Sequence, residues 1–181
     1  MAKKTLFLDR DGVINRQIMD GYVTDIDKFE FLPGVLEAFS TLSGHFDYIF
    51  LITNQQAIGK GLLSTDDLNK IHHFMLENIQ QWGGKIDKIY VCPDLESENS
   101  TNRKPNPGMG LQALKDFPDI DLPSAVMVGD SLLDMQFGKN LGVKTVFLTN
   151  GKALNKEVAV MADQVFVDLL DFTVNSPLVR A

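Results

Sequence analysis

The feature that most constrains the fold is a series of short apolar runs separated by segments of helical periodicity. The runs fall at residues 5–8 (TLFL), 48–52 (YIFLI), 86–91, 125–128 (AVMV), 144–148 (KTVFL) and 164–167. Residues 48–52 are apolar on consecutive rather than alternate positions, as in a strand covered on both faces. Pro33-Gly34-Val35 opens a helix, with proline suited to a first turn. Ser64-Thr65-Asp66-Asp67 opens another, a capping-box-like start with acids near the positive helix end. That helix places Leu68, Ile71, Met75, Ile79 and Trp82 on one face, expected to be core, before Gly83-Gly84 stops it. Residues 107–117 and 131–141 make two more, the second ended by Gly142. Strand–helix alternation of this kind predicts an α/β fold, a doubly wound, mostly parallel sheet with helices on both faces. With 181 residues and no repeat or linker, one domain spanning 1–181 is expected.

Charge and cysteine use narrow the function classes. A net charge of -7 disfavours general binding to nucleic acid or anionic membrane. No apolar run approaches a bilayer span, and the N-terminus does not read as a signal peptide. The single cysteine, Cys92, permits no internal disulfide and agrees with a reducing cytosol, so a cytoplasmic location is expected. An anionic substrate would need local cations or a metal to overcome the acidic background.

In doubly wound sheets, ligands bind at the carboxyl ends of the strands. Here those ends carry Asp9-Arg10-Asp11-Gly12, Thr53-Asn54-Gln55, the Arg103-Lys104-Pro105 end of a polar loop (residues 92–106), and Gly129-Asp130-Ser131 with Asp134 one turn on. Clustered acids need a cation, and all-oxygen ligation suits Mg²⁺, with Asp9 and Asp130 the natural ligands. With a cation present, Asp9 can attack phosphorus and form an aspartyl-phosphate. Lys104 and Thr53 can hold the phosphoryl oxygens. Asp11 can protonate the leaving alcohol and then take a proton from the attacking water.

The same residues carry a family resemblance. FLDRDGVIN, LITNQ, RKPNPGM and VGDSLLDM resemble, in order, the four motifs of the haloacid dehalogenase-like phosphohydrolases. Together with GYV and FEFLPGV they resemble one branch, which holds the D-glycero-D-manno-heptose 1,7-bisphosphate 7-phosphatases and the histidinol-phosphate phosphatases. The resemblance covers about residues 5–151. It implies a Rossmann-like core without a large cap domain. It implies Asp9 as nucleophile and magnesium ligand, Asp11 as acid/base with its backbone carbonyl on the metal, and Asp130 as the other ligand. Thr53 and Lys104 would steady the phosphoryl group, and Asp134 would support the metal from outside. Asn54, Gln55 and Arg103 would recognise substrate, with Gly21 and Tyr22 on a substrate-edge flap. The implied substrate is a small phosphorylated metabolite, heptose bisphosphate first and histidinol phosphate second, and the chain is expected to act as a monomer.

Two departures stand out. Many members of the branch bind a structural zinc through Cys-x-His and Cys-x-Cys. The corresponding residues here are Cys92-Pro93-Asp94 and Ser100-Thr101-Asn102, so no structural zinc is expected. Many heptose members also carry lysine directly after the last motif's aspartate, where this chain has Ser131.

Plainer readings stand beside these. Asp130 followed by Ser131 also reads as a helix cap, Thr53 alone reads as structural, and Lys60 is either a second phosphate contact or a solvated lysine. His45, His72 and His73 have no metal-ligand spacing and read as ordinary surface or helix residues. Response-regulator receivers also assemble acids, a threonine and a lysine at strand ends. Their phosphorylated aspartate lies on the third strand, however, and this chain has a spaced pair on the first.

Overall fold

The computed structural model describes residues 2–180. The strands are β1 (Thr5–Leu8), β2 (Tyr48–Asn54), β3 (Lys88–Cys92), β4 (Val126–Gly129), β5 (Lys144–Leu148) and β6 (Gln164–Phe166). The helices are α1 (Val35–His45), α2 (Gln56–Gly59), α3 (Thr65–Gln81), α4 (Gly108–Asp116), α5 (Leu132–Leu141), α6 (Lys156–Met161), α7 (Leu169–Asn175) and α8 (Pro177–Arg180). The strands form one parallel sheet in the order β3-β2-β1-β4-β5-β6. This is the Rossmann-like order, and its switch point lies beside β1, where ligands bind.

Period-two alternation in β1 assigns the two faces. Leu6 and Leu8 point into a core shared with Phe39, Leu42, Ile71, Met75 and Phe172 of α1, α3 and α7. Phe7 points the other way, into a core with Phe50, Met109, Ala113, Phe137 and Leu141, beneath α4 and α5. All four β1 side chains are buried, which explains their consecutive apolar run. Ser64 caps α3 by accepting from Asp67 N, and Gly142 ends α5 in the left-handed region (φ 82°).

Two readings of α3 need correction. Leu68, Ile71, Met75 and Ile79 are buried, but Trp82 is 50 % exposed. The helix ends at Gln81, so Trp82 leaves the stripe at the cap. His72, read as an ordinary surface or helix position, is buried. The segment at residues 15–31 is closed at its base by an antiparallel bridge between Asn15 and Phe31 and by a two-pronged Arg16–Glu30 ion pair. It folds as a flap beside the β1 terminus, with a single 3-10 turn at Ile26–Lys28. Among the described residues no helix is long and apolar enough to cross a membrane.

Candidate active site

A cleft of about 230 Å³ opens at the carboxyl ends of β1, β2 and β4. Its walls include Asp9, Asp11, Asn54, Gln55, Arg103, Lys104 and Asp130, with Gly21 and Tyr22 on the flap side. Each is a residue the sequence singled out. Thr53 is fully buried and not one of the wall residues; its Oγ1 accepts from the Gln55 side chain at 2.8 Å.

The charged centre is compact. Lys104 Nζ lies 2.8 Å from Asp9 Oδ1 and 2.6 Å from Asp134 Oδ1. Burial pulls the Lys104 ammonium down, but the charges of Asp134 and Asp9 outweigh it and hold the group protonated. Asp134 has both oxygens engaged, because Oδ2 accepts from Ser131 N at 3.1 Å and from Ser131 Oγ at 2.6 Å. Ser131 Oγ in turn accepts from Asp134 N. The N-cap of α5 is thus Ser131 and not Asp130, and the same cap fixes Asp134 against Lys104.

Carboxylate oxygens of Asp9, Asp130 and Asp134 lie within 4.8 Å of one another. One lysine does not compensate three acids. Asp9 is pushed up to about 7, first by burial and then by the Asp134 charge, with Lys104 pulling the other way. Asp130 is pushed up to about 8 by burial, then by Asp134 and Asp9. An all-oxygen set with excess negative charge fits a hard divalent cation such as Mg²⁺, and Asp9 and Asp130 hold the carboxylates left open to it. Gly12 (φ 84°) lets the chain pass close: a Cβ there would lie 1.9 Å from Asp130 Oδ2.

Asp11 faces different partners. Its Oδ1 accepts from Arg10 Nη2 at 3.1 Å and from Asn15 Nδ2 at 2.9 Å, and its Oδ2 accepts from Gln55 Nε2 at 3.0 Å. Burial pushes this carboxyl up, but the Arg10 charge and the bonds from Asn15, Arg10 and Gln55 together hold it below the usual range. Gln55 thus ties Asp11 to Thr53. Asn54 spends its amide on the backbone of Lys104, accepting from Lys104 N at 3.0 Å and donating to Lys104 O at 3.2 Å. The Lys104–Pro105 peptide is cis. Arg103 donates one Nη1 bond, 3.1 Å long, to Asp94 O and reaches the cleft wall. Cys92 is buried, with Sγ 3.5 Å from Asp94 Oδ2 and 4.0 Å from Ser100 Oγ. Lys60 Nζ donates to Tyr22 Oη at 2.8 Å and lies 5.3 Å from that ring's centre, outside the cleft wall.

The sequence reading missed Gln17, Ile18, Val23, Gln56 and Leu133, which also line the cleft, and buried His72; it placed Arg10 at the rim without giving it a role. Gln56 donates to Tyr22 Oη at 3.1 Å. His72 had a signal: it lies four residues after Leu68 and three before Met75, on the apolar stripe.

A family model described as HAD-hydrolase-like matches residues 101–172. A D-glycero-alpha-D-manno-heptose-1,7-bisphosphate 7-phosphatase of Mycobacterium bovis is 37 % identical, covering 93 % of this chain and 89 % of its own. A D-glycero-beta-D-manno-heptose-1,7-bisphosphate 7-phosphatase of Pasteurella multocida is 36 % identical, covering 93 % and 94 %. The crystal structure of a D,D-heptose 1,7-bisphosphate phosphatase from B. bronchiseptica, complexed with magnesium and phosphate, is similar at a TM-score of 0.85 and 34 % identity, covering 94 % of this chain and 96 % of that one. Sheet order, motif order and these likenesses define a haloacid dehalogenase-like phosphatase. Within that class, the chain belongs to the heptose-1,7-bisphosphate 7-phosphatase family.

Proposed function

We propose that this chain is a magnesium-dependent phosphomonoesterase that removes the 7-phosphate of D-glycero-D-manno-heptose 1,7-bisphosphate. The observation that carries the reading is the pair Asp9 and Asp11 at the end of the central strand, with Lys104 Nζ 2.8 Å from Asp9. Relatives named for both the alpha and the beta sugar match at nearly equal identity, so the likeness favours neither anomer. The phosphatase acts as a cytoplasmic monomer in this reading.

The roles follow from what each group can reach. Asp9 and Asp130, with the Asp11 backbone carbonyl, would hold the cation; when bound it neutralises the acids and the phosphoryl oxygens. An Asp9 oxygen attacks phosphorus, the bond to the sugar oxygen breaks, and Asp11 gives that oxygen a proton. Asp11, now a carboxylate, takes a proton from water as the water attacks the Asp9 phosphate. The bond to Asp9 breaks and inorganic phosphate leaves. Lys104 steadies the phosphoryl oxygens; Thr53, buried behind the wall, acts by accepting from the Gln55 amide that also holds Asp11. Asn54 and Gln55 contribute to recognition mainly by holding Lys104 and Asp11. Arg103, along with Gly21 and Tyr22 of the flap, faces the rest of the substrate, and its planar guanidinium suits a second phosphate.

The test is a phosphate-release screen with magnesium against heptose bisphosphate, other sugar phosphates and histidinol phosphate. The bisphosphate is expected to give the highest kcat/KM. Preference for histidinol phosphate would refute the substrate, and hydrolysis of no ester would refute the phosphatase reading. Zinc plays no structural part here, because only Cys92 stands where four ligands would be needed. Metal analysis of the purified protein should find no stoichiometric zinc.

A further inference from the structure

Among the described residues Arg10 is the largest fully buried side chain, at 1 % exposure, and the chemistry above gives it no task. A buried guanidinium is costly unless its donors are matched. Its Nη2 donates to Asp11 Oδ1 at 3.1 Å, and its Nη1 lies 3.2 Å from His72 Nε2. Its Nε has no partner among the described residues. Arginine has donors and no acceptor, so the contact with His72 requires the Nε2 lone pair. His72 is therefore neutral with its proton on Nδ1. Burial, then the Arg10 charge, depresses its pKa to about 3, in agreement.

Two contacts on opposite prongs define the plane of a guanidinium. One comes from the end of β1 itself. The other comes from the middle of α3, 62 residues away in sequence. We propose that His72 and Arg10 act as a positioning pair, in which His72 fixes the Arg10 fork so that the fork aims the Asp11 carboxylate. This rests on the reading of Asp11 as the proton carrier.

A mispositioned Asp11 harms most the substrate that needs most protonation. An alkyl phosphate has a poor leaving group, whereas p-nitrophenyl phosphate hardly needs the proton. The test compares the rate of phosphoryl transfer to Asp9 from a sugar phosphate and from p-nitrophenyl phosphate in the full magnesium-loaded chain. The rate is read by rapid quench as phosphoenzyme formed in the first turnover, because release from Asp9 is the same step for both. His72→Phe removes the acceptor and keeps the bulk. It should lower the sugar-to-aryl rate ratio roughly tenfold, a part of the 10²- to 10⁴-fold that general acid–base catalysis supplies. His72→Gln restores a carbonyl acceptor and should bring the ratio back to within about twofold of native, through the same hydrogen bond. Arg10→Lys keeps the buried charge without the planar fork and should show the same selective loss. Equal losses on both substrates would mark the pair as structural and overturn the proposal. So would a native ratio in folded Arg10→Lys, even if His72→Phe does not fold. If the native protein forms no phosphoenzyme with p-nitrophenyl phosphate, the underlying phosphatase reading fails instead.

Discussion

At the scale of single residues, two acids a dipeptide apart hold opposite electrostatic positions. Asp9 is pushed up to about 7 by burial and by Asp134, while Asp11 is held low by Arg10, Asn15 and Gln55. The two carboxyls sit in different environments, and a cation on Asp9 would draw that carboxyl back to its ionised form, so their substitutions should differ. Asp9→Asn removes the nucleophile and should abolish turnover. Asp11→Asn keeps the backbone carbonyl and should cost at least roughly 10²-fold, the lower end of general acid–base catalysis. With p-nitrophenyl phosphate, Asp11→Asn should accumulate a phosphoenzyme visible by mass spectrometry, and Asp9→Asn should show none. Gly12 makes a second residue-scale case. Gly12→Ala places a methyl on the Asp130 carboxylate and forces alanine to a φ of 84°. The left-handed backbone alone costs about 1–2 kcal/mol. The carboxylate must also move, so magnesium titration calorimetry should show affinity falling well beyond the stability loss. Asp9, Asp11 and Asp130 were legible because charge after an apolar strand is rarely idle, and Lys104 because Arg103 and Pro105 flank it at the end of the polar loop. The Asn54 clamp on Lys104 was not, because it depends on a loop 50 residues on, whose path the sequence does not reveal.

At the scale of elements, the long polar loop must be held in place for Lys104 to reach Asp9. Asn54, at the last position of β2, clamps it from one side. Arg103 to Asp94, Asn106 to Ser100 and Gly108 N to Thr101 tie it to itself. Asn54→Ala should therefore reduce kcat with little change in the melting of the sheet, because the clamp sits at the rim. Protease nicking between residues 94 and 103 should accelerate in the same variant. If kcat stayed native, the clamp would not position Lys104. Strand identity was readable from apolar runs, and β1 and β5 match the expected limits. The sheet order was constrained only as far as the strand–helix alternation goes. The four-residue helices α2 and α8 lay beyond reach, since so short a helix does not form on its own pattern and exists only where tertiary contacts hold it. Trp82 misled because a stripe of period 3.6 does not say where the helix stops.

At the scale of the whole molecule, an acidic chain of net charge -7 has to hold an acidic cluster and admit an anionic substrate. Without the cation, the fold keeps its acids partly by protonating them. Asp9 and Asp130 stand at about 7 and about 8, against roughly 3.9 for an aspartate in the unfolded chain. The folded state then binds more protons than the unfolded one between about pH 4 and pH 8. That contribution to stability is complete below the unfolded value and is lost as pH rises through the folded values. Magnesium binds the deprotonated oxygens, so its stabilisation should grow over the same range. His72 acts in the opposite direction. Its folded value of about 3 lies below the ordinary 6.5, so its contribution is present above 6.5 and is lost as pH falls. His72 makes no contact with the open carboxylates, and subtracting a melt in EDTA from a melt in magnesium at each pH removes its share. The difference in Tm should be small near about pH 5 and rise steeply from about pH 6 to about pH 8. Magnesium titrations in buffers of different ionisation enthalpy should show proton release that fades above about pH 9, where both acids are already ionised. A Tm difference that stays flat across that range would mean that Asp9 and Asp130 are not where the cation binds.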